Sequence, residues 1–417
     1  MFSVLSPLSL SLMTNIIKYL LVLLAFSACS QPAPAPQSLA VKPSTEIVAK
    51  PLRLGAECTE IYLPLLEDKT VGIIANQTST IGTAHLVDSL VALGVNVKSV
   101  FAPEHGFRGN ASAGAKIKDG IDDKTGLPIL SLYGSNYKPS AKKLKGLDVV
   151  VFDIQDVGAR FYTYISTMSH MMEACAENGI SMLVLDRPNP NGHYVDGPIL
   201  KKEFSSFVGL HEIPIVHGMT VGEYAKMVNG EGWLKNGVQC DLTVIEMENY
   251  NRNEAYELPI APSPNLPNQK AIYLYPSLCF FEGTEVSEGR GTDKPFQQFG
   301  YPKMPNGNTK FTPKSIDGVA KYPKLENKKC NGIDLSEMPL DSLRNLKQIN
   351  LAWLISTYQD YPKKDKFFKA DFFDKLAGSS ELRKQIIAGK SAEEIRDTWA
   401  EGLSQFEETR KKCLLYP

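Results

Sequence analysis

The sequence predicts an α/β protein in which a Rossmann-like, mostly parallel sheet is followed by a smaller α+β domain. Two observations carry this prediction. Short apolar runs alternate with helical patterns from about residue 52, and the predicted strand at 147–152 is almost wholly apolar. Strands that alternate with helices imply right-handed crossovers and parallel pairing. An apolar strand is typical of one that is buried on both faces of such a sheet.

The periodicity of the apolar residues places the elements of the N-terminal half. Helices are predicted at 84–93 and 161–178, each followed by a glycine that suits a helix C-terminus. Another helix begins after Thr220, because Glu223 completes the spacing of a capping box. The predicted strands are 71–75, 97–101, 147–152, 182–185, 213–216 and 242–247.

A proline-rich stretch divides the chain into two predicted domains. Four prolines between residues 258 and 267 indicate a hinge. The Rossmann-like domain is therefore placed at 52–262 and an auxiliary C-terminal domain at 263–417. In the second domain, Ser391 and Glu394 again have the spacing of a capping box that opens a helix.

The N-terminus has the composition of an export signal and a tether. An apolar run at 16–26 ends in small residues before Cys29. Residues 1–29 are predicted to be a signal peptide with a lipobox-like end, which would make Cys29 the lipidated residue of a lipoprotein. The Pro/Ala-rich residues 30–51 form a tether. We expect an exported protein, periplasmic or attached to the outer membrane, that meets the membrane only through this anchor. Phe26 stands where a lipobox prefers leucine, which leaves free secretion open.

The composition excludes several classes of partner and cofactor. The 417 residues include 45 basic and 46 acidic side chains, so the basic excess of a nucleic-acid-binding surface is missing. No G-x-G-x-x-G follows a predicted strand and no P-loop motif occurs, which argues against NAD and ATP. A G-x-S-x-G elbow, typical of α/β-hydrolases, is also missing. We expect no cofactor.

Six cysteines follow Cys29, and none forms a C-x-x-C pair. Their even number permits one disulfide in an exported protein. Most are predicted to be buried thiols, since a chain of this size does not depend on disulfides. Their spacing does not match that of a zinc site, and no metal site is predicted.

Polar side chains follow five consecutive predicted strands. Because ligands bind beyond the carboxyl ends of parallel strands, these side chains are expected to meet at one edge of the sheet. A mixture of amides, carboxylates and guanidinium groups suits a sugar better than an apolar ligand. Any one of these residues would by itself be explained by loop capping. The candidates are Asn76, Glu104, His105, Arg108, Asp153, Gln155, Asp156, Arg160, Tyr162, Asp186, Arg187, Asn189 and His217.

A second polar segment follows the predicted hinge, at residues 282–292. It contributes Glu285, Glu288 and Arg290 as further candidates for binding a substrate. Its glycines allow the backbone to approach a ligand closely. We expect this loop to form a lid or the second wall of a cleft.

At these motifs the sequence resembles the exo-β-N-acetylmuramidase family of the NamZ type, formerly a family of unknown function. The resemblance implies a Rossmann-like catalytic domain, a smaller C-terminal domain, and release of N-acetylmuramic acid (MurNAc) from the non-reducing ends of peptidoglycan fragments such as MurNAc-GlcNAc saccharides. The glutamate of the family's Glu-His-Gly motif, its proposed catalytic residue, corresponds to Glu104. The matching motifs are 102–109, 151–164, 185–190, 217–220, 262–265 and 282–292.

Glycoside cleavage commonly needs one carboxyl group to protonate the leaving oxygen and a second group to assist at the sugar carbon. Glu104 fits the first role, and Asp153, Asp156 and Glu288 are candidates for the second. The 2-acetamido group of the substrate is an alternative, so retention and inversion both stay open.

Two other functions compete with the glycosidase. One is a surface lipoprotein that captures cell-wall glycans without cleaving them, since the same polar residues would serve binding. The other is a metal-dependent amidase or deacetylase that uses His105 and His217. The chain has only six histidines and no H-E-x-x-H motif, which disfavours the metal enzyme.

Overall fold

The computed structural model describes residues 50–108, 119–134 and 136–417. The predicted signal peptide, Cys29 and nearly all of the predicted tether lie outside the described residues. Lys50–Pro417 form one compact unit. The domain boundary at 262/263 stays a prediction.

The strands form one large sheet and two small ones. Their bounds are β1 Val71–Ala75, β2 Thr80–Ile81, β3 Ala84–His85, β4 Val97–Ala102, β5 Gly120–Ile121, β6 Pro128–Ser131, β7 Val149–Asp153, β8 Ser181–Leu185, β9 Leu242–Ile245, β10 Gln298–Tyr301, β11 Thr309–Phe311 and β12 Cys330–Asp334.

Helices pack around the large sheet and make up much of the C-terminal part. Their bounds are α1 Thr59–Leu66, α2 Leu86–Ala92, α3 Ala141–Leu144, α4 Tyr164–Asn178, α5 Val221–Gly230, α6 Gln269–Leu278, α7 Leu340–Arg344, α8 Leu351–Asp360, α9 Ala370–Ala377, α10 Glu381–Ile387, α11 Ala392–Asp397 and α12 Ala400–Lys411. Across the described ranges, none of these helices has the length and apolar character needed to span a membrane.

The large sheet has the order β5-β6-β4-β1-β7-β8-β9, and only the β5–β6 pair is antiparallel. The central strand β7 explains why an apolar strand was predicted there. Val149 and Val151 belong to the core on one face of the sheet, whereas Val150 and Phe152 belong to the core on the other face. Alternate side chains of a strand point to opposite faces, so both sets must be apolar. The α/β prediction is confirmed.

The C-terminal part contains an antiparallel sheet of order β10-β12-β11 and helices, as predicted for a smaller α+β region. Its aromatic residues join the same core as the helices of the Rossmann-like region. Phe281 and Phe373, for example, belong to the cluster that also contains Met168 of α4. The two halves therefore share buried apolar surface, which holds the segments that meet at the candidate site in fixed positions.

The strand predicted at 213–216 is wrong. Val216 forms only isolated bridges, to Ala159 and Asp196. Pro214 explains the error, because a proline has no N–H to donate to a neighbouring strand. Both predicted capping boxes are confirmed, at Thr220 and at Ser391.

Candidate active site

A cavity of about 670 Å³ lies beyond the carboxyl ends of β4 and β6. We call it the active-site cavity. Both halves of the chain contribute to its walls, so the segment after the predicted hinge does form part of the cleft. The lining residues fall within 104–105, 133–137, 161–164, 207–208, 263–266, 275–296, 322–324 and 369–372.

Glu104 lies in this cavity, two residues after β4 ends. The chain turns tightly there, with positive φ angles at His105 (67°) and Gly106 (79°). Such a conformation is uncommon for a residue other than glycine and is often found at functional sites. The turn presents the side chain of Glu104 to the cavity, while the rigid sheet holds its backbone.

Two hydroxyl groups from other segments contact the Glu104 carboxylate. The Tyr133 hydroxyl donates to Oε1 at 2.9 Å, and the Thr163 hydroxyl donates to Oε2 at 3.4 Å. Burial, together with the neighbouring Glu104, raises the pKa of Tyr133 well above its ordinary value. The phenol therefore stays protonated and remains a donor, which fixes the orientation of the carboxyl group.

The wall beside Glu104 is built from aromatic and hydroxyl side chains. The Tyr164 hydroxyl donates to the backbone oxygen of Glu104 at 3.3 Å, and the Tyr162 hydroxyl donates to the backbone oxygen of Pro262 at 2.7 Å. The Ser263 hydroxyl lies 3.2 Å from Nε2 of His105. These contacts join the Glu104 turn to the proline-rich stretch. His105 and Tyr162, both predicted to bind substrate, line the cavity.

The loop after α6 places two more carboxyl groups in the cavity. Arg290 donates to Glu282 at 2.7 Å, and its Nε lies 3.6 Å from Glu288. Lys324 lies 2.8 Å from Glu288 and also donates to backbone oxygens at 281–286, including that of Val286 at 2.5 Å. Burial raises the pKa of Glu282, and Glu288 adds to this effect while Arg290 opposes it. Glu288 and Arg290 are thus placed in the cavity, as the sequence predicted.

Aromatic side chains form much of the remaining surface. Tyr137 and Phe207 stack with ring centroids 3.8 Å apart and an angle of 23° between their planes. Tyr322 and Phe372 are exposed and also line the cavity. Flat apolar faces beside a few polar groups are typical of sites that orient a small polar ligand.

Asp153 and Arg187 were predicted at the site but form a buried ion pair instead. Arg187 donates to both carboxylate oxygens of Asp153, at 2.5 and 2.9 Å, and Asp153 is fully buried. Arg187 and Gln155 line a separate cavity of about 230 Å³. The pair has no surface on the active-site cavity, which removes the support for Asp153 as its second catalytic group.

Asp156, Arg160 and His217 form another buried group away from the cavity. The Arg160 guanidinium donates to the backbone oxygens of Pro198, Ile213 and Leu376 at 2.6–3.0 Å. Burial raises the pKa of Asp156 to about 7 and lowers that of His217 to about 3. Their position does not support the predicted roles in catalysis or substrate binding.

The other predicted residues do not line the active-site cavity, and their side chains hold loops or form ion pairs elsewhere. Asp186 accepts from the Thr220 and Tyr416 hydroxyls, each at 2.7 Å. Arg108 pairs with Asp88 and Asp122, and Glu285 pairs with Lys369 in an exposed position. In two further cases the side chain binds the backbone: Asn189 donates to Met219 and Asn76 accepts from Thr78.

Several residues of the cavity were missed from the sequence. Tyr133 follows β6, a strand that was not predicted. Had β6 been recognised, Tyr133 would have been expected at the same edge of the sheet as Glu104. Glu282 lies in the loop that was predicted to line the cleft, but it was not chosen as a candidate site residue. Lys324 and Phe207 stand in irregular segments, where neither periodicity nor a motif gives a signal.

The described ranges 50–108, 119–134 and 136–417 contain no group of three or more His, Cys, Asp or Glu side chains arranged to hold a metal ion. The side chains that line the cavity supply carboxyl groups, hydroxyl groups, the imidazole of His105 and cations. A carboxyl group oriented by hydroxyl donors, with further carboxyl groups in the same cavity, is an arrangement that suits acid-assisted cleavage of a glycosidic bond.

The sequence matches two family models, described as the N-terminal and C-terminal parts of the exo-β-N-acetylmuramidase NamZ, over residues 71–270 and 273–416. It is 40% identical over 374 residues to the peptidoglycan β-N-acetylmuramidase NamZ of Bacillus subtilis (strain 168). The matched region covers 85% of this chain and 89% of that protein.

Two crystal structures of DUF1343 family proteins from Bacteroides fragilis NCTC 9343 are also similar. One has a TM-score of 0.82 and 50% sequence identity, and the other has a TM-score of 0.73 and 30% identity. Each similarity covers 88% of this chain and 99% of the other. On the family models and the extent of these similarities, the chain belongs to the exo-β-N-acetylmuramidase NamZ family.

Proposed function

We propose that the protein is an exo-acting glycosidase that releases MurNAc from the non-reducing ends of peptidoglycan-derived saccharides such as MurNAc-GlcNAc. The observation that carries this proposal is the Glu104 carboxyl group, which the Tyr133 hydroxyl orients inside a cavity that also holds Glu282 and Glu288. Membership of the NamZ family and the peptidoglycan β-N-acetylmuramidase from Bacillus subtilis support it.

Glu104 is assigned the role of general acid. It transfers its proton to the glycosidic oxygen as the bond from that oxygen to the anomeric carbon breaks. Water supplies the hydroxyl group at the anomeric carbon, and the proton that this water loses restores the acid form of Glu104. Tyr133 and Thr163 hold the carboxyl group in place for this transfer. A fixed acid contributes more to the rate because less motion has to be arrested in the transition state.

The second role falls to Glu288 or to the substrate itself. Of the three carboxyl groups considered from the sequence, only Glu288 lines the cavity, where Lys324 lies 2.8 Å from it. Its negative charge is placed to stabilise positive charge that develops at the sugar ring. The same charge would equally orient the 2-acetamido group if that group acts as the nucleophile, so both routes use Glu288.

The charges of the cavity fit an anionic sugar. Three cations, Arg290, Lys324 and Lys369, share the cavity with three carboxyl groups. Lys369 is paired with Glu285 outside the cavity, whereas Arg290 and Lys324 form their ion pairs inside it, with Glu282 and Glu288. Arg290 also has an Nε–H without a hydrogen-bond partner among the described residues. Because MurNAc carries a lactyl carboxylate, we assign its recognition to Arg290, since a guanidinium group binds carboxylates well.

A chromogenic β-N-acetylmuraminide, incubated with the protein with and without a chelator, tests the proposed function. We expect release of the chromophore under both conditions, and slower release from the corresponding glucosaminide, which lacks the lactyl group. Loss of release with the chelator would indicate a metal enzyme. Binding of the sugar without any release would indicate a glycan-capture protein.

Export and lipid attachment are part of the proposal, and the sequence alone supports them. An apolar run that ends at Cys29, followed by a Pro/Ala-rich stretch, is typical of a lipoprotein signal. We expect Cys29→Ser to shift the protein from the membrane fraction to the soluble fraction. Unchanged membrane association would contradict the anchor and leave the enzymatic proposal intact.

A further inference from the structure

A second polar cavity, of about 630 Å³, lies next to the active-site cavity and has no part in the chemistry described above. We call it the distal cavity. It is lined by side chains of α4, of the segment 202–212 and of the segment 232–237, among them His170, Glu173, His211 and Trp233.

The same elements build both cavities. The segment 206–209 is a tight hairpin in which Ser206 and Gly209 exchange backbone hydrogen bonds of 2.8 and 3.0 Å. Phe207 at its tip lines the active-site cavity, whereas Ser205 and Leu210 on its two arms line the distal cavity. The Phe207 ring is also parallel to that of His170, within 7° and with centroids 6.3 Å apart. Phe207 therefore connects the two cavities.

Two further elements run from one cavity to the other. Tyr137 lines the active-site cavity, and the adjacent Lys138 binds Glu173 of the distal cavity at 2.5 Å. Helix α4 begins with Tyr164 at the active-site cavity and reaches Glu173 about 13 Å further along its axis, from the rise per residue of an α-helix. An oligosaccharide of a few residues can span this distance.

The side chains of the distal cavity suit a neutral sugar. His211 and Trp233 stack at 5.4 Å with 28° between their planes, and both line the cavity. Nε2 of His211 is buried and has no hydrogen-bond partner among the described residues. A polar group of a ligand would supply that partner. Glu173 and Lys202 add charges of opposite sign, so the cavity does not select strongly for an anion or a cation.

We propose that the distal cavity binds glycan residues on the reducing-end side of the bond that is cleaved. The terminal sugar occupies the active-site cavity, and the rest of the chain passes Phe207 towards His211 and Trp233. This inference rests on the proposed function and adds to it a preference for longer chains. Binding energy gained in the distal cavity raises kcat/KM for substrates long enough to reach it.

The test compares two substrates that begin with the same non-reducing MurNAc, the disaccharide MurNAc-GlcNAc and the tetrasaccharide with that unit repeated. For the natural protein we expect kcat/KM to be at least about tenfold higher for the tetrasaccharide. In His211→Ala, the ratio between the two substrates should fall to near one. The matched control is His193→Ala, because His193 is also partly buried but lines neither cavity. Its ratio should equal that of the natural protein.

The outcomes of this test distinguish failure of the distal-cavity proposal from failure of the proposed function. Equal kcat/KM values for the two substrates in the natural protein would overturn the distal-cavity proposal, even if His211→Ala did not fold. A ratio that survives in folded His211→Ala would overturn it as well. Failure of the natural protein to cleave either substrate would instead contradict the proposed function.

Discussion

At the residue scale, the ion pair between Asp153 and Arg187 assigns Asp153 a structural role, and this role can be tested against the catalytic one. Both side chains are almost fully buried, and the guanidinium contacts both carboxylate oxygens. Removal of one partner leaves a buried charge uncompensated, which costs about 3–5 kcal/mol. We predict that Asp153→Asn lowers the free energy of unfolding by this amount, measured by urea denaturation.

The catalytic alternative predicts a different result. If Asp153 assisted the reaction directly, Asp153→Asn would keep the stability of the natural protein and lose turnover. That combination would contradict the structural role. Asp148→Asn is the control, because Asp148 is an exposed carboxylate directly before the same strand, and the amide oxygen of asparagine can still accept the hydrogen bond that Asp148 receives from the backbone N–H of Thr70. It should change stability little.

Asp156 gives a pH dependence of stability. Burial raises its pKa from 3.8 to about 7 in the folded protein. The folded state therefore holds a proton that the unfolded state releases, and stability falls as the pH rises from about 4 to about 7. Asp156→Asn removes this penalty. We predict that it raises the free energy of unfolding at pH 8 by up to about 4 kcal/mol and has little effect at pH 4.

Thermal unfolding at pH 4 and pH 8 measures the effect. Asp317→Asn, which changes an exposed carboxylate, should leave the pH dependence as it is in the natural protein. An Asp156→Asn protein that is less stable than the natural protein at pH 8 would show that the carboxylate is stabilised in its charged form.

At the scale of elements, Lys324 connects the irregular segment 322–324 to the loop that carries Glu282 and Glu288. Its ammonium group contacts Glu288 and three backbone oxygens of that loop. Lys324→Met keeps the length of the side chain but removes the donors. Since a hydrogen bond to a charged group contributes about 1.5–3 kcal/mol, we predict a loss of at least about tenfold in kcat/KM.

Steady-state kinetics on the chromogenic muraminide check this prediction. Lys328→Met is the control, because Lys328 lies four residues further along the chain, is exposed and does not line the cavity. Its kcat/KM should match that of the natural protein. Equal activity of Lys324→Met and Lys328→Met would mean that the loop holds its shape without Lys324.

The elements also show what the sequence could predict. The central strands were found because burial on both faces demands apolar residues at every position, as in β7. Glu104 became a candidate because it follows such a strand, and the resemblance to the NamZ family then singled it out as the catalytic glutamate. The same rule also selected Asp153 and Asp186, whose side chains turn into the protein and bind Arg187 and Thr220. A strand end fixes where the backbone lies but does not determine which way a side chain points.

The rest of the site depends on tertiary contacts. Tyr133 and Lys324 acquire their roles from Glu104 and Glu288, which are distant in sequence. Neither lies in a periodic segment, and the strand before Tyr133 is only four residues long. The roles of such residues can be recognised only from the folded structure, in which distant segments come into contact.

At the scale of the whole molecule, the described structure does not depend on disulfides. Its six cysteines, from Cys58 to Cys413, are all buried free thiols. Burial raises the pKa of Cys240 to about 12 and that of Cys330 to about 11, so these thiols stay protonated. We predict the same melting temperature with and without dithiothreitol. A lower melting temperature in the reductant would reveal a disulfide and contradict this prediction.

The central claim is that Glu104 protonates the leaving oxygen in an exo-β-N-acetylmuramidase. The most direct test compares Glu104→Gln with the natural protein on MurNAc-GlcNAc and on a muraminide with an activated phenolic leaving group. Glutamine is nearly isosteric and can still accept from Tyr133, so the variant should fold and bind sugar. We predict a fall of roughly a hundredfold or more in kcat on the disaccharide and a clearly smaller fall on the phenolic substrate, which depends less on protonation. A folded Glu104→Gln protein that releases MurNAc from the disaccharide at the natural rate would contradict the account.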